Sequence, residues 1–164
     1  MWYIIFIVVV FILALSRTYF EIRKDVIINA SSEKVWQTVI DFESYKKWNS
    51  QLIYLGGKIA LGEVIDLKLA VEGTTPYTFT PTISSWVEGE SFAWIAKTGI
   101  PRLFDGEHFF EIKPNKDGTT TLINREEYRG AISLIMKQIP AMKLAPAGFE
   151  KMNIELKEYI EHSK

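Results

Sequence analysis

His108 and Glu126 are the pair of titratable side chains whose spacing could support chemistry. They lie in two alternating runs, 106–114 and 120–129, that read as the strands of a hairpin closed by a turn at 115–118. If the alternation continues through the hairpin, the two side chains face each other on one side of the sheet, close to Asn124 and Tyr128. Such a pair could act as a general base beside a carbonyl, orient the polar end of an apolar ligand, or only hold two strands in register. The residues themselves leave these three roles open.

Other catalytic chemistry finds no support in the sequence. The chain has two histidines and no cysteine, which excludes thiolate nucleophiles, disulfides and zinc-thiolate sites. It shows no Ser/His/Asp order, no phosphate-binding glycine loop and no carboxylate-rich metal motif. We therefore assign no catalytic residue beyond the candidates His108 and Glu126, predict neither a metal nor a cofactor, and favour a binding protein over an enzyme.

Composition limits the number of domains and the kind of partner. A chain of 164 residues with 48% hydrophobic content can build one well-cored domain. Nineteen basic and twenty acidic residues give a net charge of −1, and no block of Lys or Arg appears. Nucleic acid is therefore not an expected partner, since its binding needs a basic surface.

Residues 2–15 contain no charged side chain, and Arg17, Arg23 and Lys24 follow them. A helix extended to residue 20 would approach the roughly 30 Å of a bilayer core. We predict an N-terminal hydrophobic helix at 1–20, a single-pass membrane anchor, with the domain at 21–164 on the cytoplasmic side by the positive-inside rule. The alternatives are a signal peptide cleaved near Ser16, with export of the domain, or a segment buried in the core as a helix or strand.

The remaining chain shows the order strand, two short helices, many strands and a final helix. The patterns predict a first strand near 22–28, a helix capped by Ser31, a second short helix at 42–48 and six strands between about 54 and 128. Pro81 should mark an edge or a bulge within the run 77–87. Pro140 and Pro146 should break the helical region before a final helix at 147–162. A sheet that buries one face against a single long helix tends to form a cup.

Several motifs in this order resemble one known superfamily. They are Ser31 to Trp36, Asp41-Phe42, Tyr45, Trp48-Asn49, Gly106 to Phe109, Glu126, Tyr128 and Gly130, followed by the final helix. Residues 22–162 resemble the START-like superfamily of polyketide cyclases/dehydrases and lipid-transport proteins, which includes the birch-pollen allergen. The resemblance implies an α+β helix-grip fold, in which a seven-stranded antiparallel sheet wraps around a long C-terminal helix with two short helices. Related members bind lipids, hormones, quinones or polyketides, so the fold alone does not settle the function.

Strand alternation and the apolar stripe of the final helix predict which side chains line the cup. These candidate ligand-binding residues are Leu67, Leu69, Tyr77, Phe79, Phe92, Trp94, His108, Phe110, Asn124, Glu126, Tyr128, Phe149, Met152 and Asn153. We expect membrane-tethered binding, or transfer, of a hydrophobic small molecule or lipid in this interior. The alternatives are a polyketide cyclase-like enzyme that uses His108 and Glu126, and a protein-interaction module whose interior is packed solid.

Overall fold

The computed structural model describes residues 2, 3, 6, 18–100 and 102–162. Within these residues the chain forms eight strands, four α-helices and one 3-10 turn. In chain order they are β1 (Tyr19–Ile28), α1 (Ser32–Ile40), the 3-10 turn (Phe42–Ser44), α2 (Tyr45–Trp48), β2 (Leu52–Gly57), β3 (Ile65–Leu69), β4 (Tyr77–Phe79), β5 (Thr82–Val87), β6 (Ser91–Lys97), β7 (Asp105–Pro114), β8 (Thr120–Arg129), α3 (Ser133–Met136) and α4 (Pro140–His162).

The strands form two antiparallel sheets instead of the single seven-stranded sheet that was predicted. One sheet has five strands in the order β1-β8-β7-β6-β5, and the other has three in the order β2-β3-β4. The division falls at Pro81, which has no N–H to donate, so the predicted strand at 77–87 becomes β4 and β5. The sheets remain joined by backbone hydrogen bonds, from Ile65 N–H to the Pro81 carbonyl at 3.0 Å and from Ile83 N–H to the Glu63 carbonyl at 2.9 Å. The outcome is still a curved antiparallel surface closed by one long helix.

The two short helices fill one end of this cup. The Ser31 hydroxyl accepts a hydrogen bond from the Lys34 N–H at 3.3 Å, which confirms the predicted cap of α1. Trp36 on α1 packs edge-to-face on Phe92 of β6, with ring centroids 6.1 Å apart, and Phe42 packs on the same ring at 5.9 Å. This end of the interior is therefore occupied by aromatic side chains, as in an ordinary core.

Helix α4 begins at Pro140, after α3 has ended at Met136, so the predicted interruption at Pro140 is confirmed. The predicted break at Pro146 is wrong, because α4 continues through this residue. Proline at the first position of a helix removes an N–H that would have had no intrahelical partner. Pro146 removes one hydrogen bond from the interior of the helix, and the helix continues on either side of it. The added turns at the N-terminal end extend α4 beyond the packed core, where it covers the rest of the cup.

Side chains of α4 also cover the outer edge of β1, which has no neighbouring strand on that side. Asn153 donates to the Lys24 carbonyl at 3.0 Å, and Lys157 donates to the Ile27 carbonyl at 2.7 Å. Lys24 forms an ion pair with Glu150 at 2.8 Å. These contacts satisfy backbone groups of an edge strand and fix the helix along it.

The predicted localisation, a single-pass membrane anchor with a cytoplasmic domain, is wrong. Among the residues that the structure describes, no helix is both long and apolar enough to cross a bilayer. Residues 1, 4, 5 and 7–17 of the predicted segment lie outside the described residues. Tyr19 and Phe20, which the prediction placed in the hydrophobic helix, are the first residues of β1, and Phe20 stacks on Tyr128 at 4.8 Å. The end of the predicted segment therefore belongs to the sheet.

Candidate functional site

A cavity of about 470 Å³ lies between α4 and the two sheets. Leu69 of β3, with Tyr77 and Phe79 of β4, forms one wall. Strands β6, β7 and β8 form the second wall, and the N-terminal half of α4 forms the third. The prediction of a solidly packed interior is therefore wrong for this end of the cup.

Many of the predicted ligand contacts lie together on these walls. The structure places the following candidates at the cavity: Leu69, Tyr77, Phe79, Trp94, His108, Glu126, Tyr128, Phe149 and Met152. They come from both sheets and from α4, so that residues up to 83 positions apart in the sequence share one surface.

The other predicted ligand contacts, Leu67, Phe92, Phe110, Asn124 and Asn153, are buried away from the cavity. Phe92 and Phe110 stack on each other at 5.2 Å in the filled end of the cup. Alternation along a strand predicts the face on which a side chain lies, but it does not predict how far along the cup the packed core extends. These residues face the interior as predicted and meet other side chains there.

Asn124 and Asn153 form a hydrogen-bonded link between β8 and α4. The Asn124 amide donates to Asn153 Oδ1 at 2.9 Å, and the Asn153 amide donates to the Lys24 carbonyl at 3.0 Å. Both side chains are almost completely buried. Their polarity is explained by this link between secondary-structure elements, because buried polar groups need partners.

His108, Glu126 and Tyr128 form a polar cluster on the cavity wall. His108 pairs with Glu126 across β7 and β8, in the register expected from the alternation. The Tyr128 hydroxyl donates to Glu126 Oε2 at 2.7 Å, and His108 Nδ1 lies 3.6 Å from the same oxygen. Burial, followed by the charge and hydrogen bond of Glu126, raises the pKa of Tyr128 well above its usual value. The phenol therefore stays protonated and remains a donor to the carboxylate.

The His108 ring lies between two aromatic rings. It stacks on Trp94 at 4.7 Å and on Phe149 at 5.0 Å, so that α4 holds it against the sheet. Its Nε2 is buried and has no hydrogen-bond partner among the described residues. The ring orientation is thus fixed by stacking, with Nδ1 turned toward Glu126.

Gly106 makes room for the Glu126 carboxylate, and the prediction of site residues omitted it. A Cβ at position 106 would lie 2.7 Å from Glu126 Oε1 and 3.4 Å from the Tyr128 ring. Glycine inside a strand often marks a close approach of another group, and this was the available signal. The absence of a side chain at 106 thus allows the carboxylate to lie against β7.

The sequence matches the model of one protein family, described as polyketide cyclase / dehydrase and lipid transport, over residues 19–160. The chain belongs to this family. A comparison with curated proteins found no match. The match begins at the first residue of β1 and ends near the end of α4, so the family domain includes both sheets and the whole cavity wall.

Solved structures agree with this assignment to the polyketide cyclase / dehydrase and lipid transport family. Protein CV1439 from Chromobacterium violaceum is similar with a TM-score of 0.67 and 18% identity, over 87% of this chain and 99% of that one. Truncated norcoclaurine synthase from Thalictrum flavum gives 0.66 and 12%, over 90% and 97% of the two chains. The Aha1 dimer from Colwellia psychrerythraea gives 0.65 and 17%, over 88% and 98%. These likenesses confirm the helix-grip type of fold. The match to the family model confirms the predicted START-like superfamily.

Within this family domain, several loop and helix residues at the cavity were absent from the predicted set. Phe104 follows the loop after β6, lines the cavity and stacks on Tyr128 at 5.5 Å. Val71 and Thr74 reach the cavity from the loop after β3, and Ala145 lies on the part of α4 that was predicted to be broken. Alternation in strands carries no signal for such residues.

The chemistry that this family site offers depends on the Glu126 carboxylate, the His108 imidazole and the Tyr128 phenol, which lie in a mainly apolar enclosure. Among the described residues, no group of three or more His, Cys, Asp or Glu side chains is arranged to hold a metal ion. Membership of the family makes binding of hydrophobic ligands and cyclase-like activity the functions to consider.

Proposed function

We propose that the chain binds a hydrophobic small molecule or lipid in the cavity beneath α4. The observation that carries this proposal is the cavity of about 470 Å³ with a mainly apolar wall. Ligand pockets in proteins commonly measure about 300–1,000 Å³ and combine apolar walls with a few polar groups. Glu126, His108 and Tyr128 form one polar cluster on the cavity wall, which would orient a ligand with its apolar part toward Leu69 and Met152.

Norcoclaurine synthase from Thalictrum flavum has been solved in complex with dopamine and hydroxybenzaldehyde. That protein has the same type of fold at low sequence identity. It supports the proposal to the extent that another chain with this fold binds small aromatic molecules.

The test compares two alanines of the same helix. Ala145 lines the cavity, whereas Ala147 is exposed on the outer side of α4. Phenylalanine at position 145 would fill cavity space, and phenylalanine at 147 adds the same side chain to the surface. Each full-length variant is titrated with N-phenyl-1-naphthylamine, a neutral apolar dye whose fluorescence rises in an apolar site. Native mass spectrometry of the full chain then reports any co-purified small molecule.

We expect Ala147→Phe to bind the dye as the original chain does and Ala145→Phe to bind it at least about tenfold more weakly, since a filled cavity forfeits the apolar contacts of the ligand. Far-UV circular dichroism of both variants checks that the fold is retained. Equal binding by the two variants would place the dye outside the cavity. Absence of dye binding and of any co-purified mass in the original chain would contradict the proposal.

Cyclase-like activity is the second candidate, and the cluster at Glu126 favours it. A carboxylate held by Tyr128 at 2.7 Å and facing a ligand cavity could remove a proton next to a substrate carbonyl. The test follows exchange of the acidic hydrogens of a β-polyketone in deuterated water by NMR. We expect Glu126→Gln and His108→Ala to abolish any catalysed exchange while the fold is retained. Exchange no faster than in buffer would rule out this activity for that substrate class.

A further inference from the structure

The Glu126 carboxylate pairs with no lysine or arginine in the described part of the chain. Its side chain is 18% exposed, and no Lys or Arg nitrogen of the described residues lies within 4.0 Å of it. Oε2 accepts the hydrogen bond from Tyr128, while Oε1 has no hydrogen-bond partner among the same residues and lies beside Gly106. A carboxylate in an apolar enclosure is costly unless a donor or a cation compensates it.

His108 faces this carboxylate without a hydrogen bond to it. Nδ1 lies 3.6 Å from Glu126 Oε2, which is longer than a hydrogen bond. The other ring nitrogen, Nε2, is buried and has no hydrogen-bond partner among the described residues. Oε1 of Glu126 therefore remains for a donor that a ligand supplies.

Tyr77 is the ring at this cavity that a cation beside Glu126 could face. It lines the cavity, whereas Tyr128 is stacked between Phe20 and Phe104, and Trp94 and Phe149 each stack on His108. The faces of aromatic rings carry negative potential and attract ammonium groups, most strongly where water is excluded. Partial burial at the cavity mouth, together with the charge of Glu126, raises the pKa of Tyr77, so that its ring also experiences the field of this carboxylate.

We propose that the ligand is a hydrophobic amine whose protonated head group pairs with Glu126, with its apolar part in the remainder of the cavity. This inference rests on the proposed binding function and specifies the class of ligand. The head group would meet Oε1 of Glu126, which accepts no hydrogen bond from the described residues. Hydrogen bonds between an ammonium and a carboxylate are roughly twice as strong as neutral ones.

Lys97 is the one cation that lines the cavity among the described residues. It lies at the end of β6 with an exposed side chain, and it forms no ion pair with Glu126. A ligand with an anionic head could pair with Lys97, but it would bring a second negative charge into the enclosure that holds Glu126. The acidic head group is therefore the competing class that the experiment must exclude.

The experiment uses three probes that share one chain and differ in the head group. Decylamine, decanol and decanoate are each used to displace N-phenyl-1-naphthylamine from the full-length chain at neutral pH, below their micelle-forming concentrations. We expect decylamine to bind about tenfold more tightly than decanol, and decanoate to bind more weakly than decanol. This order is measured on the original chain and does not depend on any variant.

Glu126→Gln removes the charge and keeps the shape of the side chain. We expect this variant to bind decylamine and decanol within about twofold of each other, because only the charge-assisted part of the contact is lost. The control is Glu158→Gln, which removes one negative charge from an exposed position of α4. It should retain the preference for the amine, which excludes an effect of net charge alone.

The outcomes separate this inference from the binding function. Equal binding of amine and alcohol by the original chain would overturn the amine inference and leave cavity binding intact. Tightest binding of decanoate would also overturn it and would indicate Lys97 as the head-group partner. Failure of the dye and of all three probes to bind would contradict both proposals. A preference for the amine that persists in Glu126→Gln would remove Glu126 from the site.

Discussion

Replacing Asn153 by alanine should destabilise the fold without changing ligand affinity. Asn153 joins Asn124 of β8 to the Lys24 carbonyl of β1, through hydrogen bonds of 2.9 Å and 3.0 Å. Asn124 Oδ1 already has no partner among the described residues, so the loss of Asn153 would leave the whole Asn124 amide unsatisfied in a fully buried position. The variant thus removes two hydrogen bonds and strands one buried polar group.

The expected cost follows from these two effects. Each hydrogen bond contributes about 0.5–1.5 kcal/mol net, and an unsatisfied buried amide costs about 1–3 kcal/mol. Because the terms overlap, we expect the free energy of unfolding to fall by about 2–4 kcal/mol, measured by urea denaturation. For a domain of this size the midpoint of thermal unfolding should fall by about 5–15 °C.

Two further measurements show whether the link between β8 and α4 is the cause. The double variant Asn124→Leu/Asn153→Leu should be more stable than Asn153→Ala, because replacing both partners by apolar groups of similar shape avoids the stranded amide. The affinity of Asn153→Ala for N-phenyl-1-naphthylamine should remain within about twofold of the original, since Asn153 does not line the cavity. A stability loss below about 1 kcal/mol, combined with clearly weaker dye binding, would refute the reasoning and return Asn153 to the ligand contacts.

Three other changes test the cavity wall and the residue that follows β8. Gly106→Ala should lower the free energy of unfolding by only about 1 kcal/mol but abolish the preference for the amine. The new Cβ would lie 2.7 Å from Glu126 Oε1 and would therefore displace the carboxylate. A retained preference would contradict this role. Burial, and then Glu126, raises the pKa of Tyr128 in the folded state. The free energy of unfolding should therefore keep its full contribution from Tyr128 below about pH 10 and decrease as the pH rises further. Tyr128→Phe should reduce this alkaline loss, measured by denaturation curves at several pH values. Gly130→Ala should lower the free energy of unfolding by at least about 2 kcal/mol, since φ is +128° and its Cβ would lie 2.5 Å from the Leu103 carbonyl oxygen. Unchanged thermal unfolding would refute it.

The register of the central hairpin could be predicted because two local signals agree. Alternation in 106–114 and 120–129 and the turn between them place His108 opposite Glu126, as the structure shows. The number of sheets could not be predicted in the same way. Pro81 signals an interruption, but whether a proline produces a bulge or separates two strands depends on which strands lie beside it.

The extent of the cavity was also beyond the sequence patterns. His108 and Phe110 lie on the same face of β7, yet one borders the cavity and the other is enclosed by aromatic rings. The difference arises because Phe42 and Trp36, which are distant in sequence, pack around Phe92 and fill that end of the cup. Contacts of that kind are tertiary, so periodicity within a single strand carries no information about them.

The polar residues of β8 show that the cavity differs from a merely incomplete core. Asn124 lies in the packed end, and its amide is bonded by a residue of α4. Two positions further along the same face, Glu126 borders the open space, and its hydrogen-bond donor, Tyr128, belongs to the same strand. Room for this carboxylate comes from Gly106, and a glycine inside a strand lowers stability by about 0.5–1 kcal/mol. A carboxylate that is largely withdrawn from water, with 18% of its side chain exposed, lowers it further. An apolar pair at positions 106 and 126 would stabilise the fold more than Gly106 and Glu126 do. Two losses of stability at one point of the cavity wall are expected where the sequence is adapted to bind a ligand.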